Sequence, residues 1–140
     1  MTKQEIIDRI EKAYAFRIAG DKESMSTVFA HDGEFRIAGI GLSLPGVMEG
    51  NVKAVDAVGA LIDHYKFIEV KMRDVVVEGS VAAIRSVAKI APDGGKGPAH
   101  AVELFDLVTF DGEGKIKSFV QFVDAAFIAT LARRVPGQNA

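Results

Sequence analysis

There is no cysteine in these 140 residues, which removes disulfides, thiolate metal sites and cysteine nucleophiles together. Histidine is almost as scarce. His31, His64 and His100 are scattered, with neither the i, i+4 spacing nor the cysteine pairing that a metal uses, so no metal site and no cofactor is expected. Neither sign of charge dominates: 17 Lys and Arg stand against 19 Asp and Glu, a net charge of −2. With the two signs interleaved, there is no basic footprint for nucleic acid and no polybasic patch for a membrane surface. Long hydrophobic runs are missing too, and no stretch approaches the roughly 20 apolar residues that span a bilayer. The polar start Met1-Thr2-Lys3-Gln4-Glu5 reads as helix and not as a signal peptide, so a cytoplasmic location is expected.

What is present is 49% apolar and 26% charged, the balance of one globular domain over 1–140 with enough chain to bury a core. No repeat, linker or low-complexity segment interrupts it. Thr2 and Glu5 have capping-box spacing, and Ile7, Ile10, Tyr14 and Ile18 recur at helical spacing up to Gly20. Asp21 can cap a second helix that buries Met25, Val28 and Phe29. Asp32-Gly33 turns the chain into a short strand, 34–40, and a loop runs over 41–50. Asn51 can cap a third helix with Val55, Val58, Leu61, Ile62 and Tyr65 on its apolar face.

From Lys66 the pattern is β: strands over 66–78, 81–90, 100–110 and 115–123 are rich in Val, Ile and Phe. Gly79-Ser80 and Asp111 to Gly114 suit tight hairpins, and Ala91 to Pro98 a longer one. A last helix, capped by Asp124, carries Phe127, Ile128 and Leu131 on one face and Arg133 and Arg134 at its C-terminal end. Pro136-Gly137 ends it, leaving 135–140 as a disordered tail. Helices first and consecutive antiparallel strands after make an α+β fold, a curved antiparallel sheet packed on its helices.

Gly20-Asp21, Phe29-Ala30-His31-Asp32-Gly33 and Gly112-Glu113-Gly114-Lys115-Ile116, in this order of elements, resemble the nuclear transport factor 2-like superfamily. That group includes ketosteroid isomerases, SnoaL-like polyketide cyclases and limonene epoxide hydrolases. The resemblance covers nearly the whole chain and implies a cone of sheet around a deep apolar pocket, and a homodimer formed through the sheet backs. Asp106 falls where the isomerases keep a protonated aspartic acid. Their general base corresponds to Ile37, and their tyrosine to Ala13, with Tyr14 one residue on. In the epoxide-hydrolase pattern the water-activating aspartate corresponds to Gln121, and the arginine-x-aspartate to Arg85-Ser86-Val87. An amide takes no proton from water and a valine donates none, so that mechanism is excluded.

Asp106 is the candidate catalytic residue. It lies between Phe105 and Leu107 in an apolar strand, where a carboxylate is costly unless hydrogen-bonded or neutral. Alternation puts it on one face with His100, Val102, Leu104, Val108 and Phe110; the structural alternative is an acid bonded to a neighbouring strand or to Tyr14. The expected ligand-binding set is Gln121, Tyr14, Arg85, Phe119, Val123, Val87, Ile37 and Leu104. Within it, Gln121 can orient a carbonyl, Arg85 is equally readable as a solvated strand residue, and Tyr14 as a core tyrosine. Tyr65 reads as a core residue with a satisfied hydroxyl. The expected partner is a small apolar molecule, either acted on next to a carbonyl by an isomerase, cyclase or lyase, or bound without chemistry. An assembly module using the strand face of Glu69, Lys71 and Arg73, or the final helix, is the third alternative.

Overall fold

The computed structural model describes residues 1–38, 46–47 and 52–124. The expected last helix and the tail lie outside the described residues, as does most of the 41–50 loop. α1 (Lys3–Ala19) starts where the Thr2 hydroxyl accepts the Glu5 N–H, and stops where Gly20 turns left-handed at φ 68°. Its buried stripe is Ile6, Ile10, Ala13, Tyr14 and Arg17. α2 (Lys22–Val28) is capped by the Asp21 carboxylate accepting the Ser24 N–H. β1 runs Phe29–Ile37, starting earlier than its sequence pattern shows.

A two-residue strand, β2 (Val52–Lys53), then precedes α3 (Ala54–His64). The cap position of α3 is Lys53, which makes no side-chain cap bond. The helix buries Ala54, Ala57, Val58 and Leu61 and leaves Val55 exposed. The rest of the sheet matches the sequence closely: β3 (Lys66–Glu78), β4 (Val81–Ala91), β5 (His100–Phe110) and β6 (Ile116–Val123).

The strands form one curved, open sheet in the order β2-β1-β6-β5-β4-β3. Its pairs are antiparallel except β1 with β6, which run parallel. That pairing is between strands far apart in sequence, which hydrophobic periodicity does not reveal. Register shifts in β1–β6, β3–β4 and β5–β6 bend the strands around the helices. Alternation then sorts the side chains. Ala82, Ile84, Ser86 and Ala88 of β4, with Val102, Leu104, Asp106 and Val108 of β5, are buried against the helical layer. Arg85, Phe105 and Leu107 point to the opposite side.

Candidate functional site

Between α1, α3 and the concave face of the sheet lies a chamber of about 730 Å³, counting its open mouth. Inside it is narrow, since the centre of a water-sized sphere moves through only about 60 Å³. Phe29, Phe35, Phe67 and Phe119 line it with Met25, Val58, Leu61 and Ile90. The Phe35 and Phe119 rings, 5.3 Å apart, pack across the parallel β1–β6 pair. The lining side chains with polar or charged atoms are Tyr14, Arg17, Tyr65 and Gln121. Among the described lining residues there is no carboxylate and no imidazole.

Six of the expected ligand-binding residues are at this wall: Tyr14, Ile37, Leu104, Phe119, Gln121 and Val123. Two are not. Arg85 and Val87 occupy odd positions of β4, whose even positions face the core, and so lie on the sheet's outer face. There Arg85 donates to Asp74 at 2.6 Å and Glu103 at 3.3 Å, the solvated alternative for that residue.

Asp106 does not line the chamber. It is 0% exposed and sits directly behind the wall, opposite Ile84 on one side and Gln121 on the other. The Tyr14 hydroxyl donates to its Oδ2 at 2.5 Å, a length usual for an O–H bond to a carboxylate. Its Oδ1 has no hydrogen-bond partner of good geometry among the described residues, nor has the Ser86 hydroxyl next to this pair. Burial raises the Asp106 carboxyl from 3.8 to about 6, against the opposing pull of the bonds from Tyr14 and Gln121. Tyr14 is held well above 10, first by burial and then by the negative charge and hydrogen bond of Asp106. Tyr14, one residue beyond the Ala13 expected at the isomerase tyrosine position, makes the bond to the acid.

Three features of the site were not evident from the sequence. Arg17, only 6% exposed, borders the chamber with its guanidinium 4.0 Å from the centre of the Phe67 ring. A signal existed: Arg17 follows Ala13 by four and Tyr14 by three, a charge on an apolar helical stripe. The Tyr65 hydroxyl is buried and without a hydrogen-bond partner among the described residues, where the sequence suggests a satisfied core group. Ser86 had no distinguishing pattern at all.

No family model and no curated protein matches this sequence. Solved structures do match it in shape. An NTF2-like protein from Burkholderia xenovorans superposes with a TM-score of 0.70 at 19% identity, over 94% of this chain and 98% of that one. A candidate isomerase from Rhodopseudomonas palustris gives 0.72 at 14% identity, over 93% and 96%.

The chain has the NTF2-like fold. An LEH-like epoxide hydrolase from M. tuberculosis has the same architecture, with a TM-score of 0.69 at 12% identity over 94% of this chain and 91% of that one. Identities this low speak for the NTF2-like fold and not for a shared reaction.

Proposed function

We propose that this NTF2-like chain binds a small, mostly apolar molecule in the chamber and orients one of its oxygens against Tyr14 and Gln121. The observation that carries this reading is the wall itself: phenylalanine and aliphatic side chains with a few convergent polar groups, and no titrating base among its described lining residues. An amide both donates and accepts, so Gln121 suits a carbonyl or a hydroxyl. The four phenylalanines supply the apolar contact area.

A catalytic reading has one specific observation in its favour, the Tyr14–Asp106 bond. In it, Asp106 removes a proton from the carbon next to a bound carbonyl by way of the Tyr14 hydroxyl. Tyr14 takes the carbon-bound proton as it passes its own to Asp106, leaving an enolate in the chamber. Asp106 then acts through Tyr14 and touches no substrate.

One experiment separates the readings. With 2-octanone in deuterated buffer, the methyl resonances of chamber residues report binding, and the ketone's α-proton signal reports exchange. Saturable shifts that weaken at pH 5 in Tyr14→Phe and Gln121→Leu, with exchange at pH 8 no faster than in buffer, support binding alone. Faster exchange that is lost in Asp106→Asn supports catalysis. No saturable shift with 2-octanone refutes the proposed chamber function.

We also propose that the chain forms a homodimer through the outer face of its sheet. Phe105 and Phe122, directly paired across β5–β6, are 44% and 45% exposed, and neighbouring Leu107 is 38% exposed. Their rings already stack edge to face at 6.1 Å, an apolar surface of the kind that marks an association site. Light scattering should give twice the chain mass, and Phe122→Lys should give the single-chain mass; a monomeric wild type at high concentration refutes the proposal.

A further inference from the structure

We infer that the ligand of this chamber carries a carboxylate, and that the Arg17 guanidinium is its partner. The inference rests on the binding reading above and adds the chemical class of the ligand. A guanidinium withdrawn from water needs either a full set of acceptors or an opposite charge. Arg17 has neither. Its Nη2 donates to the Leu61 carbonyl at 3.3 Å and the Tyr65 carbonyl at 2.7 Å, at the C-terminal end of α3, and one face of the group covers Phe67. Nε and Nη1 make no hydrogen bond with the described residues, and none of the ion pairs among those residues includes Arg17. Three N–H donors of a positively charged fork therefore remain at the chamber wall.

A second, independent feature marks the same place. The Tyr65 hydroxyl borders the chamber, is buried and has no partner among the described residues. Two unpaired donor groups in a mostly apolar chamber call for an acceptor, and a planar carboxylate accepts two parallel bonds from an arginine fork. A neutral carbonyl would take one N–H and leave the charge uncompensated. Burial lowers the guanidinium to about 10, so it is charged at neutral pH. Tyr14 lies one helical turn before Arg17, about 5 Å along the axis of α1. An acid held at Arg17 would therefore bring its hydrocarbon part against Phe67 and towards the Tyr14–Gln121 station.

The competing role for Arg17 is purely structural, tying α1 to the end of α3. Calorimetric titration of octanoate and 4-phenylbutyrate, each against its own alcohol and against octylamine, decides between them. For the wild type we expect the acids to bind about tenfold or more tightly than the alcohols, the size of a charged hydrogen-bonded contact, with octylamine weakest. Arg17→Met should remove the preference, and Arg17→Lys, which keeps the charge but not the fork, should retain part of it. Because Arg17→Met removes the bonds to α3, its fold is checked by circular dichroism, and Arg17→Lys with the wild-type panel decides the matter where it unfolds.

Alcohols binding as tightly as acids, or a preference that survives in Arg17→Met, overturns the inference while leaving the chamber reading intact if 2-octanone still binds. Failure of 2-octanone and of every compound in the panel overturns both. Glu49 is the one acidic side chain outside the described residues. Glu49→Gln that leaves acid binding unchanged supports the inference, whereas tighter acid binding identifies Glu49 as the resident counter-ion and overturns it.

Discussion

Replacing Asp106 with asparagine should shift stability progressively in favour of the variant as pH rises from acid to neutral. The carboxyl is fully enclosed and its proton affinity is raised from 3.8 to about 6, chiefly by burial. For an acid with a raised value in the folded state, the native protein holds its proton over a range where the unfolded chain has already released it. Stability then falls as pH climbs from about 4 to about 6, and is flat above that. At about 1.4 kcal/mol per pH unit, the difference between 3.8 and about 6 is worth about 3 kcal/mol. Asparagine preserves the shape and cannot ionise, so the penalty disappears with it.

The assay is guanidinium unfolding of both proteins from pH 4 to 8, with the difference in unfolding free energy plotted against pH. Taking the difference cancels every other titrating group that the substitution leaves alone. Asparagine also loses the strong acceptor that Tyr14 uses at 2.5 Å, which offsets the curve vertically without changing its slope. The expected result is a difference that moves in favour of Asp106→Asn by about 2 kcal/mol between pH 4 and 6.5, the share of the full effect that this range spans. A flat difference, or one moving in favour of the wild type as pH rises, would show that Tyr14 and Gln121 stabilise the ionised form at least as much as burial penalises it.

Two further outcomes follow from the fold. A Cβ added at Gly33 would stand 2.8 Å from the Ile116 carbonyl oxygen and 3.0 Å from that of Ala30, where β1 shifts register against β6. Gly33→Ala should therefore cost about 1–3 kcal/mol in urea unfolding, and a loss below about 0.5 kcal/mol would mean that the bulge has room to relax. Arg85→Ala, on the outer face with its ion pairs to Asp74 and Glu103, should leave 2-octanone binding within about twofold of wild type; a larger loss would place Arg85 at the ligand.

The strands from Lys66 onward were legible because β-branched and aromatic residues alternate between clear turn signals, and each of those ladders joins neighbours in sequence. The start of β1 is hidden for the opposite reason. Phe29-Ala30-His31-Asp32-Gly33 has a turn composition, and its strand geometry comes from tertiary pairing with β6. At the site, Asp106 stood out because a charge in an apolar strand is anomalous wherever the strand packs. Its distance from the ligand space was not legible, since alternation gives the face of a strand and not what stands in front of it. Tyr14 of α1 and Gln121 of β6 fill that space. Arg85 misled by analogy with a motif, whereas the ladder parity of β4 sends it outward.

The position of Asp106 behind Tyr14 gives the chamber a polarity that depends on pH. With Asp106 ionised, the Tyr14 proton is committed to Oδ2, and the hydroxyl offers the chamber only its lone pairs. With Asp106 neutral, the carboxylic acid can donate to the tyrosine oxygen, and the phenolic proton is free to turn towards a bound carbonyl. Gln121 contributes its amide equally in both states, and Arg17 stays charged throughout, its own value being about 10. Ketone affinity should thus rise as pH falls from 8 to 5, with a midpoint near the Asp106 value of about 6, and level off below. In Asp106→Asn the amide donates to Tyr14 at every pH, so the profile should be flat and close to the acid limit of the wild type. A wild-type affinity for 2-octanone that is independent of pH, or that rises with pH, would show that Tyr14 keeps its proton on Asp106 whatever the ligand offers, and would take Tyr14 out of carbonyl recognition.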